Sequence, residues 1–290
     1  MQKEIEKAAA LVEAMPHIQA FRDKIILVKL GGSAMDREES LRTVLQDVVF
    51  MELVGMHPIL VHGGGPAISA AMKKRGLKPT FVKGHRVTDL ETIDLVADVL
   101  WNQINADIVC KINDLGGRAH PVINEDRKTL RARKKLMVVD GEEVDLGLVG
   151  EMVSIDARKI LDLCYDDFVP VVAPIAADSN GNLLNVQADE VAAFTAAQLK
   201  PEKIVYLSDT PGILRVPGDE STMASTLTEG EVNKLIADGV IDGGMLPKVN
   251  ACIQALEAGV NKAHIIDGRV PHSLLLEILT DKGIGTQILR

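Results

Sequence analysis

Two lysines in this chain stand beside glycine pairs. Lys29 closes the apolar run Ile25-Ile26-Leu27-Val28-Lys29-Leu30, and Gly31-Gly32 follows at once. Lys248 ends the segment Asp242-Gly243-Gly244-Met245-Leu246-Pro247-Lys248. A third glycine cluster, His62-Gly63-Gly64-Gly65-Pro66, follows Ile59-Leu60-Val61. Glycine lets backbone N–H groups come close to an anion, and a helix N-terminus behind them adds a favourable dipole. A cation beside bare backbone at a strand end suits a phosphate. The first expectation is therefore phosphoryl chemistry.

Other uses of these residues can be weighed. The Walker A pattern is absent, and no G-x-G-x-x-G opens the first helix, which disfavours a dinucleotide Rossmann site. His62-Gly63-Gly64-Gly65 could form a hydrolase oxyanion hole, but that reading needs a G-x-S-x-G elbow. Gly31-Gly32-Ser33-Ala34-Met35 lacks the last glycine. No cluster of His, Cys and carboxylates has zinc-like spacing, so no resident metal is expected. His62 could act as a base, although a strand-end histidine bonded to backbone is the more ordinary reading. Arg86, in Gly84-His85-Arg86-Val87-Thr88-Asp89, is either a loop charge or a guanidinium fork for a carboxylate.

These residues need elements to position them. Ile5, Ala8, Val12 and Met15 predict an amphipathic helix over 3–15, interrupted at Pro16. That helix packs either on its own subunit or, as an arm, on another. From residue 25 strand and helix alternate. Ile25–Leu30 reads as a strand covered on both faces, and Asp36 as the N-cap of a helix to about Gly55. A strand at Pro58–Val61 leads to a helix opened by Pro66. Thr88-Asp89 starts a long helix that stops at Gly116-Gly117. Residues 120–153 read as hairpins around Asp140-Gly141, with Arg131–Lys135 as a solvated basic face. Alternation resumes with a strand at Phe168–Pro174, a helix at Ala188–Leu199 and a strand at Lys203–Leu207. Helices at Glu229–Asp238 and Lys248–Gly259 and a final strand at Ala263–Ile266 complete the pattern. Such a series predicts a mostly parallel sheet with helices on both faces, and ligands outside the C-terminal strand ends.

Bulk properties narrow the partners. The 290 residues are 47% apolar and 25% charged, enough for a large core, but only 3% aromatic. Few aromatics and a net charge of −9 argue against nucleic acid and against anionic membranes. Cys110, Cys164 and Cys252 are far apart, as expected of reduced thiols in a cytoplasmic protein. No apolar stretch reaches the roughly 18 residues of a membrane span. The charged first 20 residues do not read as a signal peptide.

Taken in order, six segments carry a resemblance. They are Lys29-Leu30-Gly31-Gly32, His62-Gly63-Gly64-Gly65-Pro66, Gly84-His85-Arg86-Val87-Thr88-Asp89, Asn185-Val186-Gln187-Ala188-Asp189, Ser208-Asp209-Thr210-Pro211-Gly212 and Gly243-Gly244-Met245-Leu246-Pro247-Lys248. Over roughly residues 24–290 the chain resembles the acetylglutamate kinases of the amino acid kinase family. The resemblance implies a three-layer αβα sandwich around a mainly parallel open sheet, with two lobes in one domain. The N-terminal helix would span 1–22. The lobe for the acid and for dimerisation would span 23–195, and the nucleotide lobe 196–290.

The implied reaction is ATP-dependent phosphorylation of the γ-carboxylate of N-acetyl-L-glutamate, a step of arginine biosynthesis, with Mg²⁺ accompanying ATP. By resemblance Lys29 and Lys248 stabilise the moving phosphoryl group and Asp189 positions both. Gly64, Gly65, Arg86 and Asn185 contact the acid, Gly32 donates to the phosphoryl group, and Ser208, Asp209 and Gly212 belong to the nucleotide site. Gln187 departs from the family pattern, in which many relatives carry a second asparagine. The N-terminal extension and the C-terminal stretch resemble the arginine-inhibited members, which interlace these helices into hexamers, trimers of dimers. His264, Glu277 and Gly283 would line the L-arginine site. Photosynthetic members also bind a PII signalling protein, and no motif of this chain decides that partner. The rivals are another amino acid kinase, acting on carbamate, glutamate or aspartate, and a non-catalytic arginine-sensing module of the same fold. Intact Lys29, Asp189 and Lys248 argue against the second.

Overall fold

The computed structural model describes all residues of the chain except Gly32, Asp140 and Lys282. Helix α1 (Gln2–Phe21) leads into strand β1 (Ile25–Leu30), the short helix α2 (Ser33–Asp36) and helix α3 (Glu38–Leu53). Strand β2 (His57–His62), helix α4 (Gly65–Lys74) and a ribbon of β3 (Phe81–Val82) and β4 (His85–Arg86) follow. Helix α5 (Leu90–Asp98), a π-helical stretch (Val99–Asn105) and helix α6 (Ala106–Asp114) succeed one another without a break in helical backbone. Strand β5 (Ala119–Val122) precedes the long antiparallel pair β6 (Leu130–Val139) and β7 (Glu142–Ile155). Helix α7 (Ala157–Tyr165) and strands β8 (Val169–Val172), β9 (Ile175–Ala177) and β10 (Leu183–Asn185) come next. The rest comprises helix α8 (Ala188–Leu199), strands β11 (Lys203–Ser208) and β12 (Thr226–Thr228), and helices α9 (Glu229–Ala237) and α10 (Met245–Glu257). Strand β13 (Ala263–Asp267), helix α11 (Ser273–Leu279) and strand β14 (Thr286–Leu289) close the chain.

Eight strands form one sheet in the order β12-β14-β13-β11-β1-β2-β8-β5, and every pair but β13–β14 is parallel. The alternation of side chains along each strand supplies two cores. Leu27, Ile59, Val61, Ile204 and Tyr206 lie under α7, α8, α9 and α10. Their neighbours Ile26, Val28, Leu30, Leu60, Val205 and Leu207 lie under α3, α6 and α11. This is the helix–sheet–helix layering of an α/β fold, and it explains the unbroken apolar runs of the central strands. Strands β6, β7, β9 and β10 close a small barrel beside the sheet.

Several local expectations need correction. Helix α1 continues through Pro16 to Phe21. Pro16 removes one backbone donor, but no residue of α1 is buried, so the freed carbonyl is open to water. Asp36 lies in α2 rather than capping α3, whose N-cap is Arg37 without a side-chain bond. Strand β5 joins the main sheet instead of a hairpin. Helix α10 starts at Met245, which places Lys248 inside its first turn, and β14 follows the strand expected to be last. Among the described residues no helix is long and apolar enough to cross a membrane.

Candidate active site

Lys29 has the same parity along β1 as Leu27, so it points to the face covered by α8. Only 6% of it is exposed, and a buried ammonium needs a counter-charge. Asp189 provides it, with Lys29 Nζ 2.9 Å from Asp189 Oδ1. Asp189 lies in the first turn of α8, where the helix dipole favours a carboxylate. A Cβ built on Gly31 would collide with the Lys29 ammonium, so the bare glycine leaves the lysine head its place. Gly32, the expected phosphoryl donor, lies outside the described residues.

The glycine loop stands next to this pair. Gly63 N donates to Leu30 O at 2.9 Å, tying the end of β2 to the end of β1. Gly64 is the N-cap of α4, Gly65 begins it, and Pro66 sits in the first turn, where a missing N–H costs nothing. A cavity of about 260 Å³ brings Lys29, Gly64, Gly65, Arg86, Asn185 and Asp189 together; Phe81, Leu100 and Gln187 also line it. Asn185 Nδ2 donates to Thr88 Oγ1 at 3.2 Å, and Gln187 Nε2 to Gly84 O at 3.4 Å.

Arg86 is 7% exposed. Its Nη2 donates to Gly65 O at 2.8 Å and Ser69 Oγ at 2.7 Å, and its guanidinium lies 4.7 Å from the Phe81 ring centroid. Burial pulls its pKa down, yet a guanidinium stays charged at neutral pH. Among the described residues no carboxylate pairs with it. A buried cation fixed by neutral groups and open to a cavity suits an anionic ligand.

His62 is fully buried, and burial pushes its pKa down to about 4. Its Nδ1 is 2.8 Å from Gly63 O and its Nε2 is 3.1 Å from Asn105 Nδ2. Both ring nitrogens are occupied, and the ring does not line the cavity, so it is a strand-end histidine bonded to backbone.

A second cavity, about 420 Å³, opens beyond β11. Asp209 and Gly212 line it, whereas Ser208 is buried beneath, with Oγ 3.2 Å from Thr210 Oγ1. Gly212 has φ 153°, and a Cβ there would stand 2.6 Å from Thr286 Oγ1. Strand β14 is thus packed against the loop, with Thr286 Oγ1 accepting from Ile213 N at 2.8 Å. The same cavity takes Asp242, Met245 and Arg269, which motif reading did not assign to it. Arg269 is held by Asp267, Nη2 to Oδ2 at 2.7 Å.

Lys248 stands apart from Lys29. Its ammonium donates to Gly244 O at 3.1 Å, and among the described residues no carboxylate pairs with it. Among the described residues Asp189 pairs with Lys29 and not with Lys248. The turn that carries Lys248 still separates two openings. Met245 lines the 420 Å³ cavity, while Leu246 and Pro247 line a cleft of about 540 Å³ that also reaches Asp189. Among the described residues no group of three or more His, Cys, Asp or Glu could hold a metal ion.

A third cavity, about 330 Å³, lies between α1 and the C-terminal segment, lined by His17, Phe21, Lys203, His264, Glu277 and Gly283 among others. Glu277 is 6% exposed, not a surface glutamate. Its Oε1 lies 3.1 Å from Lys203 Nζ and 2.7 Å from His264 Nδ1, and its Oε2 accepts from Ile284 N at 2.9 Å. Burial alone would raise its pKa, but His264 and Lys203 more than offset it and hold the carboxyl below its ordinary value.

Residues 24–267 match the amino acid kinase family. The acetylglutamate kinase of Caldicellulosiruptor saccharolyticus is 45% identical over 288 residues, which cover 99% of this chain and 98% of that protein. The chain belongs to the acetylglutamate kinases. The acetylglutamate kinase of Methanothermobacter thermautotrophicus is 48% identical over 285 residues, 96% of this chain and 97% of the relative. Among solved structures, the fold is similar to N-acetylglutamate synthase from Neisseria gonorrhoeae, with a TM-score of 0.84 at 24% identity. That alignment covers 98% of this chain and 63% of the synthase, and at this identity it speaks for the fold alone.

Proposed function

We propose that the chain transfers the γ-phosphoryl group of ATP to the γ-carboxylate of N-acetyl-L-glutamate. The observation that carries this reading is the buried, carboxylate-free Arg86 facing the same 260 Å³ cavity as the Lys29–Asp189 pair. The acid occupies that cavity, with a carboxylate on the Arg86 fork, Asn185 beside it, and Gly64 and Gly65 offering backbone N–H groups. The nucleotide occupies the 420 Å³ cavity beside Asp209 and Gly212. Residues 23–195 thus serve the acid and 196–290 the nucleotide.

The nucleophile is already ionised at pH 7, so no base has to remove a proton. A carboxylate oxygen forms the new O–P bond while the bond to the β-phosphate bridging oxygen breaks, and its electron pair leaves with ADP. The obstacle is repulsion between anions, so the protein contributes position and fixed positive charge. Lys29 supplies that charge from the sheet, held by Asp189. Lys248 supplies it from the turn of α10 between the nucleotide cavity and the cleft. Magnesium enters with the nucleotide substrate, held by its phosphates, and neutralises charge on them. Arg86→Gln should raise KM for N-acetylglutamate by about 10²-fold, as expected from a charge-assisted contact, and leave KM for ATP near its original value. An unchanged KM for the acid would remove Arg86 from the substrate site.

We further assign feedback inhibition by L-arginine to the third cavity, with Glu277 as the carboxylate for its guanidinium and His264 and Gly283 beside it. Ile5, Leu11, Val12 and Met15 of α1 are exposed, an apolar surface that suits burial against another subunit. Interlaced α1 helices would join dimers into a hexamer. His17 and Phe21 of α1 line the same cavity, which supports a link between assembly and inhibition.

A further inference from the structure

The π-helical stretch Val99–Asn105 packs against the glycine loop. A π turn inserts a residue into a helix and so re-aims the side chains around it, often at functional sites. Here the side chains concerned are Leu100, Ile104 and Asn105. A Cβ on Gly64 would stand 2.6 Å from Leu100 Cδ2 and 2.7 Å from Ile104 Cδ1, so the stretch touches the loop with no space between them. Asn105 is fully buried, with Nδ2 3.1 Å from His62 Nε2 and 2.8 Å from Val171 O.

These contacts allow one arrangement of protons. An amide nitrogen only donates, and Asn105 Nδ2 has two hydrogens. One goes to the Val171 carbonyl. The other goes to His62 Nε2, which is therefore unprotonated. The reverse orientation of the amide would set Oδ1 against the Val171 carbonyl, two acceptors with no proton between them. Asn105 Oδ1 has no partner among the described residues, so this buried amide is used for its two donors. The single proton of the neutral imidazole then sits on Nδ1, which donates to Gly63 O at 2.8 Å. The Gly63 carbonyl and the Gly64 N–H share one trans peptide plane and point in opposite directions. Holding the carbonyl against His62 turns that N–H away from the ring. Neither the Gly64 nor the Gly65 N–H has a protein acceptor among the described residues, and both glycines line the cavity of Arg86.

We propose that His62 and Asn105 are positioning residues for the acid substrate. Asn105 fixes the tautomer of His62, and His62 fixes the peptide plane that presents the Gly64 N–H to a substrate oxygen. The inference rests on the acid-binding reading of this cavity.

The test combines one spectrum with three variants. Nitrogen-15 NMR of histidine-labelled protein should show His62 protonated on Nδ1 alone over about pH 6–9, far above the acidity at which a buried imidazole charges. His62→Asn places an amide N–H near the imidazole Nδ1 position and should restore KM for N-acetylglutamate to within about 3-fold of the unmodified enzyme. His62→Gln, whose amide sits nearer the Nε2 position, and Asn105→Leu should each raise that KM by about 10-fold, the effect of one misaligned hydrogen bond, with KM for ATP unchanged. Equal losses in His62→Asn and His62→Gln, or parallel rises in both KM values, would overturn the positioning role. If Asn105→Leu does not fold, the tautomer in the unmodified protein decides, and an Nε2–H form refutes the inference. Failure of the unmodified enzyme to phosphorylate N-acetylglutamate would instead refute the substrate reading, whichever tautomer is found.

Discussion

Gly64→Ala isolates the contact between the glycine loop and the helix behind it. The backbone at Gly64 has φ 174°, outside the left-handed region that favours glycine, so the substitution chiefly tests space. The new methyl would stand 2.6 Å from Leu100 Cδ2 and 2.7 Å from Ile104 Cδ1, well inside van der Waals contact. Leu100 is 1% exposed and has little room to withdraw. Overpacking of this kind costs about 1–3 kcal/mol, and the stiffer unfolded chain of an alanine variant returns about 0.4–1 kcal/mol. The net expectation is a loss of about 1–2 kcal/mol in denaturant unfolding. If the loop moves to relieve the clash, the Gly64 N–H leaves the substrate, and KM for N-acetylglutamate rises about 10-fold. Leu100→Ala alone opens a cavity worth about 2–5 kcal/mol. In the double variant the methyl fills part of that cavity, so the two losses should be less than additive by about 1–2 kcal/mol. Strict additivity, or a Gly64→Ala enzyme with unchanged stability and unchanged KM, would show that Leu100 and Ile104 do not buttress the loop.

Other outcomes follow from the same geometry. Lys29→Ala should lower kcat by about 10²–10³, the effect of losing one preorganised donor, and near-normal turnover would exclude Lys29 from the mechanism. His62 titrates at about 4 when folded and near 6.5 as a free side chain, so the unfolded chain binds its proton first as acidity rises. The His62 contribution is fully present above about pH 6.5, and up to about 3 kcal/mol of it is lost as pH falls to 4, because each tenfold difference in proton affinity between the two states is worth about 1.4 kcal/mol. Urea titrations of His62→Asn should lack that component, and an identical acid slope would contradict the burial of a neutral imidazole. Deletion of residues 1–20 should reduce a hexamer to dimers on sedimentation and weaken inhibition by arginine; an unchanged hexamer would refute the role of α1.

The parts of the fold written in local pattern were legible in the sequence. The run Ile25–Leu30 and the helix Ala188–Leu199 have the bounds expected from the sequence, the strand as an unbroken apolar run because both its faces are covered. Asp89 caps α5 through a reciprocal bond with Thr92, as its residue type suggests. What was not legible depends on residues distant in the chain. The spacing of Ile93, Val96, Leu100, Ile104 and Ile108 suits an ordinary helix, and neither the π stretch nor the packing of Leu100 and Ile104 against Gly64 is visible in that spacing. Glu277 is a lone glutamate until Lys203, 74 residues earlier, reaches it in the core. Lys248 follows two glycines and a proline that suggested a later helix start, yet α10 begins at Met245 and carries Lys248 within it. The motif residues around the 260 Å³ cavity converge because β1, β2 and β10 and the first turns of α4 and α8 end at one place. That convergence follows from sheet order, which no single motif contains.

The central claim is that Arg86, the glycine loop and the Lys29–Asp189 pair select N-acetylglutamate as the acid that receives phosphate. Trapping the acyl phosphate with hydroxylamine tests it directly. Purified protein with ATP and Mg²⁺ should form hydroxamate with N-acetyl-L-glutamate, and far less with aspartate, glutamate or carbamate. Folded protein that forms no hydroxamate with N-acetylglutamate, or forms more with one of the others, would contradict the account.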